Sequence, residues 1–385
     1  MATLMPLAQG LRSRGHDVVF AVRGLDGDLS LLAAGGFDYL PMPIAIAPLQ
    51  QMHKILVRGY ADVLARGGFA DVRTLMQLAT AWRGILHCVN PDVVICKYSP
   101  LAEFATRDRP VLSVGTGFEM PPLTKPLPSY SFLSLQDREA LSAVEEKIRE
   151  AINAQNTFAK SPPFESVGHA FAHCERILLT WPQLDHFGAR PDGDYFGAVE
   201  DLSALTKNHS DLESFIRNSS GPATFAYLRV GVDWLRAFLD AIPIQKQSRS
   251  FIIVDPTLTR ADCEILSNRK YLVMNQAINL KSLMPHLDTI ICHAGHGTVM
   301  ASMVCSKRLL MLPQYMEQIM LAKRVISSQP ANAGVALMMA PLQPVQVAEV
   351  HASLLKMEPP HKLISLCDNP IQELAIRIEA IASEH

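Results

Sequence analysis

Short runs of apolar residues alternate along the chain with segments in which apolar residues recur every three or four positions. The short runs predict buried strands, and the wider spacing predicts amphipathic helices. Predicted strands fall at 17–22, 38–40, 93–96, 111–114 and 177–180 in the first half, and at 224–228, 250–254, 271–274, 289–292 and 309–312 in the second. This alternation favours an α/β fold with parallel sheets covered by helices on both faces.

The alternation stops once, at 182–197, where Pro, Gly and Asp are frequent. A chain of 385 residues is too long for one compact core, so we place a domain linker there. The sequence predicts an N-terminal domain at 1–190 and a C-terminal domain at 191–365. The remaining residues, 366–385, carry an apolar stripe typical of a helix, which we expect to pack back on the N-terminal domain.

Composition narrows the class of protein. Hydrophobic residues make up 49% of the chain and charged residues 19%, with a formal net charge of −2, as in globular proteins without a basic patch. We therefore do not expect a nucleic-acid partner. The seven cysteines form no Cys-x-x-Cys pair, and no apolar stretch reaches the roughly 18 residues that span a bilayer. We expect a cytoplasmic monomer or homodimer without a membrane span.

The main candidate for chemistry is the segment His-Ala-Gly-His-Gly-Thr at 293–298. It follows a predicted strand and precedes a helix that we expect to begin at about Thr298. Gly295 and Gly297 let the backbone approach a ligand closely, and a helix N-terminus offers N–H groups and a positive dipole end to a diphosphate. His293 and His296 have no acidic or cysteine neighbour at metal-ligand spacing, so no metal site is expected.

A second candidate follows the next predicted strand. The chain reads Pro-Gln-Tyr-Met-Glu-Gln at 313–318. Ligands of parallel sheets bind beyond the carboxyl ends of the strands, and a carboxylate beside an amide can hold several sugar hydroxyls. Glu317 and Gln318 therefore form a candidate sugar site, although such a pair also begins many solvated helices.

These two segments, in this order and about one strand apart, resemble the nucleotide-sugar glycosyltransferases of the GT-B fold. The similarity is to the UDP-glycosyltransferase-like family that decorates natural products such as macrolides. Further similar segments lie at 1–20, 115–118, 180–185 and 225–228. The resemblance implies two Rossmann-like, doubly wound domains that face each other across a cleft.

The resemblance also implies roles for residues. His293, Gly295, Gly297 and Thr298 would bind the donor diphosphate, Glu317 and Gln318 would hold the sugar, and Asn275 and Gln276 would lie at the nucleotide base. Gly117 and Phe118 would lie near the acceptor. The resemblance implies two co-substrates, a UDP- or dTDP-sugar and a small lipophilic acceptor with a hydroxyl. The sugar would be transferred with inversion of its configuration, without a metal or a cofactor.

Three departures from the family pattern concern catalysis. Members of the family begin with a strand and a turn that ends in Gly-His, and the histidine of this turn is the general base. This chain begins with a segment that resembles the one following that histidine. The catalytic residue is therefore unknown, and we expect the base before Met1. That strand is normally central, so two strands would lack a neighbour.

Lys97 stands where members often have an aspartate that orients the base, and Ala301 stands where many have a glutamate that binds the donor ribose.

Alternatives stay open at this point. The missing base and Lys97 also suit a catalytically inactive, donor-binding or scaffold homologue. A nucleotide-sugar epimerase of the same fold is a weaker alternative. His16 lies at the start of a predicted strand, the end opposite the expected site, and is predicted to be structural.

Overall fold

The computed structural model of the chain describes residues 4–24, 29–44, 57–130, 133–158, 162–197, 210–219, 221–242, 250–276, 278, 280–362 and 370–383. The chain forms two compact units. The first contains Met1–Trp181, Arg190–Val199 and Asp368–His385, and the second contains Pro182–Ala189 and Glu200–Cys367. Residues 182–189, which the sequence placed in the N-terminal domain, thus belong to the second unit, and the ten residues after them belong to the first.

The described part of the first unit contains two parallel sheets. Strands β1 (Val19–Val22) and β2 (Asp38–Pro41) pair with each other. Strands β3 (Val94–Cys96), β4 (Val111–Gly115), β5 (Glu175–Leu178) and β6 (Asp194–Tyr195) form a sheet in that order. Within the described residues β1 pairs with β2 alone and β3 pairs with β4 alone.

Helices cover these sheets, and the first and last helices of the chain lie together. The helices are α1 (Leu4–Ser13), α2 (Ser30–Gly35), α3 (Tyr60–Leu64), α4 (Val72–Val89), α5 (Pro100–Ala105), α6 (Leu135–Phe158) and, near the C-terminus, α14 (Pro370–Ser383). The apolar stripe of α14 packs with α1 against β4 and β5, through the buried residues Leu7, Leu11, Leu112, Val114, Ile177, Leu374 and Ile378. The helix at the end of the chain thus completes the core of the first unit.

The second unit is built on one six-stranded parallel sheet. Its strands are β7 (Ala223–Tyr227), β8 (Phe251–Val254), β9 (Tyr271–Met274), β10 (Leu287–Cys292), β11 (Arg308–Met311) and β12 (Val335–Leu337). Their order is β12-β11-β10-β7-β8-β9. Strands β8 and β9 thus lie on one side of β7, and strands β10, β11 and β12 lie on its other side.

The helices of the second unit are α7 (Ser210–Arg217), α8 (Val232–Ala241), α9 (Arg260–Leu266), α10 (Leu280–Leu283), α11 (His296–Val304), α12 (Met316–Ser327) and α13 (Pro344–Leu354). The central strands are mostly buried, as their sequences predict, and β8 is buried along all four residues, whereas the edge strands β9 and β12 are only partly buried. Leu235 and Phe238 of α8 and Val347 of α13 pack on one face of this sheet. The resulting core holds the strand ends in fixed positions.

Several elements were not predicted. The two-residue β6 is too short to form a recognisable apolar run. The half-buried β12 lies in the apolar run 335–340, which was not predicted to form a strand. The stretch 166–174 contains the 3₁₀ turn Gly168–Phe171. Just after this turn, the ring of His173 contacts the backbone oxygens of Glu103 and Thr106. Among the described helices, none combines the length and apolar character needed to cross a membrane.

Candidate functional site

The strand order of the second unit reverses between β7 and β10, which are neighbours in the sheet. In parallel sheets, ligands bind beyond the carboxyl ends of the strands at such a reversal of strand order. The segments that border this point are the β7–α8 loop, the β10–α11 turn and the β11–α12 turn. The candidate residues at 293–298 and 313–318 lie on two of these three segments.

The β10–α11 turn is short and tightly packed at its base. Helix α11 begins at His296, two residues before the predicted start, with Gly295 as its N-cap residue and no side chain capping it. Ala294 is fully buried with a φ of 60°, a conformation that costs a non-glycine residue about 1 kcal/mol. A Cβ added at Gly295 would meet no atom within 4 Å. The first amides of the helix, including those of Gly297 and Thr298, have no acceptor in the preceding turn.

His293 is buried, and both of its ring nitrogens are bonded to backbone. Its Nδ1–H donates to the carbonyl of Leu312 at 2.7 Å, and its Nε2 accepts from the N–H of Arg229 at 2.8 Å. A carbonyl can only accept and an N–H can only donate, so these bonds require the neutral ring with its proton on Nδ1. A direct bond from this ring to a diphosphate would need one of the two to be exchanged. In this arrangement, the hydrogen bonds of His293, which follows β10, connect it to the loops that follow β7 and β11.

Burial holds the pKa of His293 below its usual value, and the positive charge of Arg229 lowers it further. A group that stays neutral in the folded state contributes stability above its unfolded pKa of about 6.5, and that stability is lost as the pH falls. We therefore expect the ring resonance of His293 to titrate below pH 6.5 in NMR spectra, assigned by its loss in His293→Asn. Titration at or above that value would contradict the neutral, doubly bonded ring.

Asp255 organises the β7–α8 loop from the other side. This fully buried carboxylate follows β8 and accepts from the N–H of Val230 at 2.9 Å and of Gly231 at 3.2 Å. Its second oxygen accepts from the N–H and the hydroxyl of Thr257. The loop is therefore held by His293 at Arg229 and by Asp255 at the next two residues. Sequence reasoning missed Asp255, although a carboxylate directly after an apolar strand is a visible signal.

The β11–α12 turn contains the predicted sugar residues in two different settings. Gln318 is 5% exposed, and its Oε1 accepts from the N–H of Gln314, so that oxygen stabilises the turn. The amide of Gln314 in turn donates to the carbonyl of Arg229. Glu317 is 21% exposed in its side chain and lies 3.2 Å from Nε2 of His186. Of the predicted pair, Glu317 is the one that remains accessible to a ligand.

Asn275 and Gln276 lie directly after β9, at the same edge of the sheet as the other candidates. Asn275 donates through Nδ2 to the carbonyl of Leu258, and Gln276 is exposed. Since β9 is three strands from β10 and neighbouring strands are about 4.8 Å apart, these residues lie about 14 Å along the edge from the β10–α11 turn.

The candidate residues of the first unit follow β3 and β4. Phe118 stacks on Tyr130 with ring centroids 4.9 Å apart, and the carbonyl of Gly117 faces a guanidinium nitrogen of Arg190 at 3.4 Å. Lys97 forms an ion pair with Glu119. The unexpected lysine after β3 is thus balanced by a carboxylate that also accepts from the N–H of Thr116.

His16 contacts Glu379 of α14 at 2.7 Å, beside the ion pair of Arg14 with the same carboxylate. Hydrogen bonds from Arg14 and His16 hold the pKa of Glu379 at about 2. The ring of His16 thus contributes to a surface ion-pair cluster between α1 and α14.

No protein-family model matches the chain, and no curated protein is similar to it in sequence. Solved structures of natural-product glycosyltransferases match it over its whole length. The glycosyltransferase SnogD from Streptomyces nogalater has a TM-score of 0.57 and 17% identity, covering 99% of this chain and 96% of its own. VinC, solved in complex with dTDP, has a TM-score of 0.61 and 13% identity, covering 99% and 92%. The spinosyn rhamnosyltransferase SpnG, solved with the spinosyn aglycone, has a TM-score of 0.56 and 14% identity, covering 100% and 93%. The chain therefore has the fold of these glycosyltransferases, the GT-B fold predicted from its sequence.

Proposed function

We propose that this chain is a glycosyltransferase that moves a sugar from a UDP- or dTDP-sugar to a hydroxyl of a small lipophilic acceptor, with inversion and without a metal. The observation that carries the proposal is the β10–α11 turn, which lies at the reversal of strand order with open space beside Gly295. The complexes of VinC with dTDP and of SpnG with an aglycone support both substrate classes.

In the proposed complex, the N–H groups of Gly297 and Thr298 and the hydroxyl of Thr298 bind the diphosphate at the start of α11. His293 fixes the position of that turn, and a bond to the phosphate would replace its contact with Arg229. Glu317 binds the sugar with Gln318 behind it, and Asn275 and Gln276 lie at the base. Gly117 and Phe118 are proposed for the acceptor.

Arg229 supplies positive charge to this site. Its backbone is held on both sides, by His293 and Gln314, while its side chain is exposed. The guanidinium makes no hydrogen bond or ion pair within the part of the chain that the structure describes. Its positive charge lowers the pKa of His293. A cation at this position compensates the charge of a diphosphate, which other transferases balance with a metal ion.

We expect Arg229→Ala to weaken nucleoside diphosphate binding about tenfold, because one charge-assisted hydrogen bond is lost. The dependence of the dissociation constant on salt should become shallower in the same variant. Arg236→Ala, which removes another exposed arginine from the same unit, should leave both quantities unchanged. Equal effects of the two variants in calorimetric titrations would assign Arg229 a general electrostatic role only.

A catalytically inactive donor-binding protein is the second candidate function. The residue at position 97 favours it, because Lys97 directly follows β3, where the family resemblance implies an aspartate. A nearby ammonium group lowers the basicity of a histidine instead of raising it.

An assay of product formation separates these two functions. Purified protein is incubated with UDP-glucose or dTDP-glucose and a panel of hydroxylated lipophilic acceptors, and glycosides are detected by mass spectrometry. Glycoside formation supports the transferase, and nucleotide binding without turnover supports the inactive homologue. Failure to bind either nucleotide sugar would overturn both.

A further inference from the structure

The segment Pro182–Ala189 approaches the candidate site from outside the sheet of the second unit. It begins with the 3₁₀ turn Pro182–Leu184, which packs on α12. Leu184 and Asp185 have no exposed surface. The carboxylate of Asp185 accepts from the N–H of Phe187 at 3.0 Å, and the backbone carbonyl of Asp185 accepts from the N–H of Gly188 at 2.9 Å. The backbone on both sides of His186 is therefore fixed.

His186 connects the two turns of the candidate site. Its side chain is fully buried, and its Nε2 lies 3.2 Å from Oε1 of Glu317. Its ring is stacked near the ring of His296, with centroids 6.1 Å apart and planes inclined by 21°. The contact with Glu317 joins residues 131 positions apart in the chain. A buried imidazole thus lies between the start of α11 and the start of α12.

The direction of the bond follows from its chemistry. An ionised carboxylate oxygen can only accept, so Nε2–H of His186 donates to Oε1. Only one of the two oxygens of Glu317 is engaged by His186, and the Glu317 side chain keeps 21% of its surface exposed. The carboxylate is therefore anchored at one atom and accessible to a ligand.

We propose that His186 is a positioning residue that orients the Glu317 carboxylate for the hydroxyl groups of the donor sugar. The inference rests on the proposed function, since it assigns a partner to the residue that would hold the sugar. A free glutamate side chain loses rotamer freedom when it binds a ligand, whereas an anchored one has lost it already. His186 thus contributes to sugar binding without touching the sugar, and it does not contribute to nucleotide binding.

Calorimetric titrations of the full chain with UDP, UDP-glucose, dTDP and dTDP-glucose test this inference. The dissociation constant of the diphosphate divided by that of its sugar ester measures how much the sugar adds to binding, and this ratio is called the sugar contribution. His186→Leu retains a similar volume but has no N–H group, and His186→Gln retains an N–H donor at similar reach. Thermal melting of both variants checks that they fold.

His186→Leu is expected to lower the sugar contribution about tenfold, the effect of one hydrogen bond to a charged group, while changing diphosphate affinity less than about twofold. His186→Gln is expected to keep most of that contribution. In a Glu317→Ala background, His186→Leu should have no further effect, because the two residues act as one unit.

Three results would overturn the inference alone, with the proposed function intact. They are equal sugar contributions in the leucine and glutamine variants, an equal loss of affinity for the diphosphate and its sugar ester, and an additive effect of His186→Leu in the Glu317→Ala background. Absence of any nucleotide binding by the unaltered chain would overturn the proposed function and this inference with it.

Discussion

Replacing His293 with alanine is expected to weaken nucleoside diphosphate binding by at least about thirtyfold, because two backbone partners, one of them buried, lose their bonds at a cost of about 1–3 kcal/mol each. Those partners are the carbonyl of Leu312 and the N–H of Arg229, which belong to the two loops beside the β10–α11 turn. Without the ring, both loops can move away from the position in which they meet the phosphates. Titration calorimetry with UDP and dTDP measures the loss.

A second buried histidine provides the matched control. His351 of α13 contacts the hydroxyl of Thr224 at 3.1 Å, near the amino end of β7 and thus at the edge of the sheet opposite the candidate site. His351→Ala should reduce stability to a similar degree, because a buried aromatic ring and a hydrogen bond are lost in both variants. It should leave diphosphate affinity within about twofold of the original value. Similar affinity losses in the two variants would show that His293 acts only through general stability.

Replacing Asp255 with alanine is expected to have the largest effect on the stability of the second unit. The carboxylate accepts from two N–H groups of the β7–α8 loop and from the N–H and hydroxyl of Thr257. Leaving these donors without an acceptor costs about 3 kcal/mol or more. Because the loop also carries Arg229, diphosphate binding should be lost as well. Hydrogen exchange of the amides at 230 and 231 and calorimetry measure the two effects separately.

The control for this variant is an aspartate in the same unit that is also bonded to backbone. Asp262 forms a capping box with Thr259 at the start of α9, on the surface. Asp262→Ala should therefore cost little stability and leave diphosphate binding unchanged. Unaltered exchange of the 230 and 231 amides in Asp255→Ala would contradict the role of this carboxylate in holding the loop.

The sequence predicts the parts of this molecule that depend on local patterns. Apolar runs such as 251–254 and 289–292 become buried strands because a parallel sheet covered on both faces requires apolar residues at every position. Glycines and a threonine after β10 indicate a strand-to-helix turn, which the structure places at the reversal of strand order. The doubly wound α/β architecture could therefore be predicted from these patterns, whereas the GT-B fold was implied by the resemblance of the segments 293–298 and 313–318 to a known family.

The contacts that shape the site could not be predicted in the same way. His186 and Glu317 are 131 positions apart, and nothing in the Pro- and Gly-rich segment around His186 indicates that partner. The two bonds of His293 reach 19 and 64 positions along the chain, so its buried, neutral state depends on tertiary structure. Gln318 resembles a ligand-binding residue in the sequence, yet its oxygen is used by the turn itself.

We propose that the β10–α11 turn of the second unit binds the diphosphate of a nucleotide sugar. Calorimetric titration of the full chain with dTDP and UDP, each compared with its monophosphate, measures this binding. We expect a saturable interaction in which at least one diphosphate binds about tenfold or more tightly than its monophosphate, since the second phosphate adds at least one charge-assisted hydrogen bond. Equal affinity for mono- and diphosphates, or no binding of either diphosphate, would contradict it.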